Sequence, residues 1–161
     1  MAMRSVVRAN LLALVLPAGL LAGAYGFQYL GGLTACEMCW WQRYAHFAAV
    51  ALAIAGFVLP GRRLWVALAG MAIAVAAGIG GYHAGVEYGW WQGVTECTSA
   101  VSFGGKDPLE AIMNAPLVRC DVVQWKIFGI SLAGFDFLAS GLGAIAVFAL
   151  LARANGRETR A

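Results

Sequence analysis

Four cysteines are the residues of this chain whose types and spacing most clearly indicate chemistry. Cys36 and Cys39 form a Cys-x-x-Cys pair at the end of an apolar segment, and Cys97 and Cys120 lie in the only long polar stretch. A Cys-x-x-Cys disulfide closes a very short loop and is often strained, and strained, exposed disulfides exchange readily. The pattern predicts a protein that moves disulfides between thiols.

Residues that follow the pair could tune its reactivity. If a helix begins near Trp40, then Cys39, Arg43 and His46 lie on one stripe of that helix. The permanently charged Arg43 would favour the thiolate of Cys39, which is the reactive form, and Gln42 adds a hydrogen-bond donor and acceptor. An arginine inside an apolar segment is costly. The alternative to a role beside a thiolate is that Arg43 extends to the lipid headgroups.

Other interpretations of the cysteines and histidines remain open. Cys97 and Cys120 could form a static structural disulfide, which an oxidising compartment permits. Four cysteines could bind zinc, but a structural zinc site normally pairs two short knuckles and this chain has one. His46 and His83 lie at unequal predicted depths, which argues against a shared haem. We therefore predict no metal site.

The elements that would position these residues are membrane spans. Of 161 residues, 61% are apolar and 12% are charged, and the mean hydropathy is +0.74, which excludes an ordinary soluble domain. We predict an all-α membrane protein, a four-transmembrane-helix bundle that forms one integral domain over residues 1–161. The predicted spans cover about residues 11–30, 41–59, 64–82 and 127–151.

The basic residues predict the orientation of the spans. Seven of the eleven lysines and arginines fall on one side, which the positive-inside rule assigns to the cytoplasm. These seven are Arg4, Arg8, Arg62, Arg63, Arg153, Arg157 and Arg160. Both termini are then cytoplasmic, and the two outer loops cover about residues 31–39 and 83–126. The net charge of +3 follows from this bias and indicates no nucleic-acid partner. A cleavable signal peptide over residues 1–24 is the alternative, which would leave three spans.

The second outer loop is predicted to contain a short amphipathic helix. Asp107 can cap it, Pro108 suits its first position, and Glu110 can complete a capping box. Apolar residues then recur at helical spacing up to Leu117. We expect this helix to lie in the outer membrane surface or to pack over the mouth of the bundle.

Three polar residues inside or near the spans are further candidates. His83, near the outer end of the third span, could donate hydrogen bonds to a ligand beside Gln42 and Arg43, or it could be a solvated interfacial residue. His46 could bind a neighbouring helix or relay protons. Asp136 could bind a neighbouring helix or stay protonated, and we do not predict it to be catalytic.

The segment from Cys36 to Arg43, Cys-Glu-Met-Cys-Trp-Trp-Gln-Arg, resembles the Cys-x-x-Cys-x-x-Gln-Arg signature of the bacterial disulfide bond formation protein B (DsbB) family. The resemblance extends over almost the whole chain, through the four spans and the very short first outer loop. Its other parts are Tyr82-His83, Glu87-Tyr88-Gly89-Trp90, the two second-loop cysteines, Cys120-Asp121 and Gln124-Trp125.

The resemblance implies a quinone-dependent protein-dithiol oxidase of the bacterial inner membrane, with both outer loops in the periplasm. Such a protein reoxidises a soluble periplasmic DsbA-like thiol oxidase and passes two electrons to the membrane quinone pool. The resemblance favours ubiquinone over menaquinone. Because the soluble partner is itself strongly oxidising, at roughly −120 mV, a stronger acceptor than an ordinary disulfide is required.

The resemblance also implies a role for each site residue. Cys97 would form the mixed disulfide with the partner, and Cys120 would resolve it and exchange with Cys36. Cys39 would lie next to the quinone. The residues expected to bind the quinone or stabilise the thiolate are Arg43, Gln42 and His83. We expect Cys36–Cys39 and Cys97–Cys120 disulfides at rest, and a Cys36–Cys120 disulfide as the intermediate.

Two other classes of protein are compatible with the cysteine pattern. A membrane enzyme of the vitamin K epoxide reductase type also uses a Cys-x-x-Cys pair at the surface of a four-helix bundle, although we expect that pair near a late span. A non-enzymatic membrane protein could use the cysteines only to staple its loops. Thiol trapping would distinguish the staple, which forms no mixed disulfide.

Overall fold

The computed structural model describes residues 2–95 and 118–158. Within these ranges the chain is almost entirely helical, with four helices and one short strand pair. The helices are α1 (Ala2–Tyr29), α2 (Glu37–Val58), α3 (Arg62–Glu87) and α4 (Leu132–Glu158), and the strands are β1 (Lys126–Ile127) and β2 (Ile130–Ser131). Cys97 and the amphipathic helix predicted near residues 107–117 lie outside the described residues.

The four helices pack in a ring, with α1 and α3 each between α2 and α4. The core of the half of the bundle that includes the α2–α3 connection is built mainly from alanines, which let helix backbones approach closely. Its buried members are Ala9, Ala13, Ala49, Ala53, Val66, Ala69, Ile73, Ala144 and Val147. Large apolar side chains point outward instead: Val15, Val58 and Leu142 are each more than 60% exposed. An apolar outer surface is what a lipid environment requires.

Three of the four helices are long and apolar enough to cross a membrane. They are Met3–Tyr29 in α1, Arg62–Glu87 in α3 and Leu132–Ala154 in α4. The helix α2 has 22 residues, which corresponds to about 33 Å, but Gln42, Arg43 and His46 lower its hydropathy. These polar residues therefore account for the lower hydropathy of α2 relative to the other three helices.

The connection between α2 and α3 is as tight as the sequence predicts. It consists of residues 59–61, and Gly61 has a left-handed backbone with φ of 75°, which glycine adopts at little cost. The Nε of Arg62 donates to the Gly56 carbonyl at 2.8 Å, and the Trp65 indole donates to the Pro60 carbonyl at 3.0 Å. These bonds satisfy backbone carbonyls near the end of α2 that lack helical partners.

The start of the fourth helix differs from the sequence prediction. The apolar run suggested a span from about residue 127, whereas β1 and β2 form an antiparallel hairpin there and α4 begins at Leu132. Phe128 and Gly129 make the turn with positive φ. The Tyr88 hydroxyl donates to the Gly129 carbonyl and accepts from the Ser131 N–H, both at 2.9 Å. Because Tyr88, at the end of α3, satisfies these backbone groups, the residues before Leu132 form a hairpin and do not extend α4.

Candidate active site

The Cys-x-x-Cys pair lies at the first turn of α2. Cys36 is the N-cap, with an extended backbone, and its Sγ accepts the Cys39 N–H at 3.3 Å. The two Sγ atoms are 2.8 Å apart and both cysteines are free thiols. The structure therefore shows the pair as two thiols, and the disulfide expected at rest stays a prediction.

The two thiols differ in acidity. A hydrogen bond from the Cys36 thiol lowers the pKa of Cys39, and the charge of Arg43 lowers it further. The pKa of Cys36 is raised, because its proton is shared with the Cys39 sulfur and because the side chain is buried. Cys39 is consequently the more acidic thiol of the pair, and Cys36 is the one that donates the hydrogen bond.

Arg43 lies buried one turn after Cys39, with 6% of its surface exposed. Its guanidinium donates to Gln28 Oε1 at 2.5 Å and to the Ala24 carbonyl at 3.4 Å. It also stacks over the rings of Tyr25 and Trp40, at 4.7 and 4.9 Å from the ring centroids. Because these contacts are with neutral groups, the positive charge can act on the Cys39 sulfur and on a ligand.

A line of buried polar contacts runs from Cys36 into the bundle. His83 Nε2 lies 3.6 Å from Cys36 Sγ, and His83 Nδ1 lies 3.4 Å from Gln42 Oε1. Gln42 Nε2 donates to Asp136 Oδ2 at 2.9 Å, and His46 Nε2 lies 2.7 Å from Asp136 Oδ1. This line joins α2, α3 and α4, and it confirms that His46 and Asp136 each bind a neighbouring helix.

Cys120 lies against the same pair although it is 84 positions from Cys36 along the chain. Both are almost fully buried in a small cluster with Met38 and Val86. Cys120 is disulfide-bonded, and Cys97, its predicted partner, lies outside the described residues. The Cys120 Sγ also accepts a hydrogen bond from the Thr95 hydroxyl at 3.7 Å. The second outer loop thus brings a disulfide sulfur to the Cys36 side of the pair.

Glu87 completes the polar surroundings of His83. Its Oε1 is 3.9 Å from His83 Nε2, and its Oε2 is buried without a hydrogen-bond partner in the described part of the chain. The two cysteine sulfurs and a His83 ring nitrogen lie within 4.8 Å of one another. That spacing would also suit a soft metal ion, so the sequence-based prediction of no metal site stays a prediction.

A cavity of about 490 Å³ opens beside Cys39, between α1, α2 and α4. Its volume falls within the range typical of sites for small organic ligands. Three aromatic rings form part of its wall, those of Phe27, Trp125 and Phe135. The ring centroid of Trp125 lies 5.0 Å from that of Phe27 and 6.2 Å from that of Phe135. The polar residues that line it include Cys36, Cys39, Gln42, Arg43, His46, His83 and Asp136.

The structure brings together every predicted site residue that it describes. Cys36, Cys39, Arg43, Gln42 and His83 line one cavity, and Cys120 belongs to the same buried cluster as Cys36. Sequence reasoning did not single out Gln28, which holds the guanidinium, or the part played by Glu87. A glutamine near the outer end of a first span does not indicate a site by itself, because its hydrogen bond with Arg43 depends on how α1 packs against α2.

Comparisons with known proteins agree with this geometry. The family model described as disulfide bond formation protein DsbB matches residues 7–151. The chain is 32% identical over 151 residues to disulfide bond formation protein B of Aromatoleum aromaticum, covering 86% of this chain and 88% of that protein. It is also 32% identical to the proteins of the same name from Verminephrobacter eiseniae, covering 94% and 89%, and Nitrosospira multiformis, covering 94% and 96%. No solved structure matches it significantly. The chain belongs to the family of disulfide bond formation protein DsbB.

Proposed function

We propose that this protein is a quinone-dependent protein-dithiol oxidase that reoxidises a soluble periplasmic thiol oxidase. Family membership makes it a disulfide-forming oxidoreductase and favours this class over a vitamin K epoxide reductase type of enzyme and over a stapled, non-enzymatic protein. The observation that supports the quinone and the direction of electron flow is the cavity beside Cys39. It places an acidic thiol and a buried guanidinium at the wall of a mostly apolar pocket.

The electron path that we propose starts in the second outer loop. A thiolate of the reduced partner attacks Cys97 of the Cys97–Cys120 disulfide, and Cys120 leaves as a thiolate. Cys120 then attacks Cys36 of the oxidised pair, which releases Cys39 as a thiolate. The second thiol of the partner displaces Cys97, and the freed Cys97 displaces Cys36 from Cys120. The partner is now oxidised and the Cys36–Cys39 pair is reduced.

The last step returns the Cys36–Cys39 pair to a disulfide. A quinone held beside Cys39 would supply the acceptor for the two electrons of the pair. Arg43 would hold the Cys39 thiolate and a ligand oxygen together, because its charge lies beside both the sulfur and the cavity. Gln42 and His83 are proposed as further polar contacts at the cavity wall. The ring of Trp125 with Phe27 and Phe135 would cover an aromatic ligand.

The two free thiols of the pair correspond to the reduced state from which this last step would start. Cys36 and Cys39 are free thiols while Cys120 is disulfide-bonded. The presence of Cys36 and Cys120 in one buried cluster supports exchange between their sulfurs. We propose ubiquinone rather than menaquinone, on the family resemblance.

We further propose a four-span arrangement in the bacterial inner membrane, with α2 as the span that the polar residues partly conceal. The alternation of four helices puts the start of α1, the α2–α3 turn and the end of α4 at one end of the bundle. That end has Arg4, Arg8, Arg62, Arg63 and Arg153, which supports cytoplasmic termini and periplasmic loops. Residues 1–161 then form one integral domain.

Anaerobic turnover of the purified protein tests the function. A reduced DsbA-like oxidase and a short-chain quinone are supplied, and quinone loss is followed in the ultraviolet, with Cys39→Ser and Cys97→Ser in parallel. We expect quinone loss that requires both cysteines. Quinone loss that persists without Cys97, or none at all with a folded protein and a competent partner, would rule out the proposed path.

A further inference from the structure

We propose that Asp136 is a positioning residue that acts through Gln42 to hold His83 as the base for the Cys36 thiol. The inference rests on the proposed function for the reaction in which this base would act. Its evidence is the continuous line of contacts from Asp136 Oδ2 through the Gln42 amide and the His83 ring to Cys36 Sγ. The arrangement resembles a thiol–imidazole–carboxylate triad with an amide inserted.

Asp136 determines which way the Gln42 amide faces. Three polar groups contact its carboxyl group: Gln42 Nε2 donates at 2.9 Å, the Ser140 hydroxyl donates at 3.2 Å, and His46 Nε2 lies 2.7 Å away. A carboxyl oxygen without a proton only accepts hydrogen bonds, and Asp136 Oδ2 is the acceptor for Gln42. The opposite amide orientation would set Gln42 Oε1 against a carboxylate oxygen, so the NH₂ group faces Asp136 and the carbonyl faces His83.

The orientation of the amide in turn selects the tautomer of His83. Gln42 Oε1 can only accept, so His83 Nδ1, 3.4 Å away, must be the ring nitrogen with the proton. His83 Nε2 is then unprotonated and faces Cys36 Sγ at 3.6 Å. Without Asp136, the amide could rotate and the imidazole could adopt the other tautomer, which offers Cys36 no acceptor.

Gly80 of α3 leaves the space in which Gln42 and Asp136 contact each other. A Cβ atom on Gly80 would lie 2.9 Å from Gln42 Nε2 and 3.0 Å from Asp136 Oδ2, closer than ordinary packing allows. Any side chain at Gly80 would therefore push between the two groups that form the contact. By contrast, a Cβ on Gly78 of the same helix would meet nothing within 4 Å.

The base would act when the reduced pair becomes a disulfide. As the Cys36 sulfur bonds to Cys39, the Cys36 proton passes to His83 Nε2, and two electrons leave to the quinone. The quinone would take up two protons, one being the Cys36 proton passed on by His83 and the other a solvent proton equal to the one that Cys39 released when it ionised, so the step balances. The resulting imidazolium would face Glu87 Oε1, at 3.9 Å, and the backbone of Cys120, which contacts the same ring.

The tautomer of His83 is a direct test that needs neither quinone nor partner. The chain has two histidines, so ¹⁵N spectra of the histidine-labelled, reduced protein contain two rings, and His83→Asn assigns them. We expect the Nδ1–H tautomer for His83 in the native chain and in Gly78→Ala. We expect Asp136→Ala and Gly80→Ala to shift the ring toward Nε2–H. Asp136→Asn keeps an acceptor for Gln42 and should retain the native tautomer.

The rate of the dithiol step provides the second readout. Oxidation of the Cys36–Cys39 pair by a short-chain quinone should slow by at least about tenfold in Asp136→Ala and Gly80→Ala, since loss of a positioned base typically costs that much or more. Asp136→Asn and Gly78→Ala should stay within about twofold of the native rate. An Nε2–H ring in the native protein, or an unchanged tautomer in both Asp136→Ala and Gly80→Ala, would overturn the inference. If the native protein consumes no quinone, the proposed function fails, while the spectra still decide whether Asp136 sets the His83 tautomer.

Discussion

Thr34 and Gln124 bind each other through both ends of the glutamine amide, although they lie 90 positions apart. Gln124 Oε1 accepts the Thr34 N–H at 3.0 Å, and Gln124 Nε2 donates to the Thr34 carbonyl at 2.8 Å. The pairing imitates one rung of a β-ladder between the first outer loop and the segment after Cys120. It ties the two loops together a few residues from Cys36 and Cys120, whose sulfurs are proposed to exchange.

Loosening that tie should slow the exchange between the loops. In a background that retains only Cys36 and Cys120 (Cys39→Ser with Cys97→Ser), oxidised glutathione is added to the reduced protein as the electron acceptor. Gln124→Leu is then expected to slow formation of the Cys36–Cys120 disulfide several-fold, because two backbone groups of Thr34 lose their partner. Peptide mapping without reductant measures the rate. Gln92→Leu, which removes an exposed amide of the same outer region, is the control. Equal rates for Gln124→Leu and Gln92→Leu would show that the tie does not position the sulfurs.

The acidity of Cys39 should depend on Cys36. Because the Cys36 thiol lowers the pKa of Cys39, Cys39 stays a thiolate as the pH falls below about 8.5, the ordinary thiol value, and loses this reactivity only below the lowered pKa. In chains without Cys97 and Cys120, Cys36→Ala should move the inflection of alkylation upward and slow alkylation at pH 7. Cys36→Ser keeps a hydroxyl donor and should lie between the two. Superimposable pH profiles would argue against the thiol–thiolate hydrogen bond.

Gln28 should matter to the quinone step but not to the exchange with the partner. Gln28→Leu leaves the charge of Arg43 but removes its shortest hydrogen bond, to Oε1 at 2.5 Å. Hydrogen bonds to charged groups are worth about 1.5–3 kcal/mol, so we expect KM for a short-chain quinone to rise roughly tenfold. The rate of mixed-disulfide formation at Cys97 should not change. A variant with a slower partner reaction and a native KM would place Gln28 outside the quinone site.

The outer end of α3 should not tolerate a methyl group at Gly85. A Cβ there would lie 2.0 Å from the Trp91 ring, which stacks on Tyr82 and donates to the Tyr82 carbonyl at 2.9 Å. Gly85→Ala is expected to destabilise the protein by about 1–3 kcal/mol through overpacking. Thermal unfolding in detergent, followed by tryptophan fluorescence, measures the effect. Gly78→Ala, which meets open space, should be neutral or slightly stabilising; a similar loss in both would point to a general cost of alanine in α3.

Local features of the site could be predicted from the sequence, and contacts between helices could not. The spacing of Cys39, Arg43 and His46 fixes their common stripe once α2 is a helix. The partner of His46, however, depends on how α2 packs against α4. The sequence left open whether Asp136 binds a neighbouring helix or stays protonated. Its contact with Gln42 exists because Gly80 leaves room for it, and no spacing along the chain indicates that.

The hairpin before α4 shows a second limit of sequence patterns. Residues 127–130 are mostly apolar and continue the apolar run of the last helix, so hydropathy alone starts the span near residue 127. The Tyr88 hydroxyl, from the end of α3, satisfies backbone groups of Gly129 and Ser131 instead. A long-range side-chain contact therefore overrides the local preference. In α2 the reverse holds, since the polar residues that predicted the site also lower its hydropathy below that of the other three helices.

A single-turnover experiment tests the central claim most directly, that electrons leave the Cys36–Cys39 pair for a quinone. Reduced protein in the Cys97→Ser, Cys120→Ser background is mixed with a short-chain quinone without oxygen, and thiols and quinone are counted over time. We predict one quinone consumed for each Cys36–Cys39 disulfide formed, and no consumption when Cys39 is also replaced by serine. Thiols that stay reduced in the presence of quinone, or a disulfide that forms without quinone loss, would contradict the account.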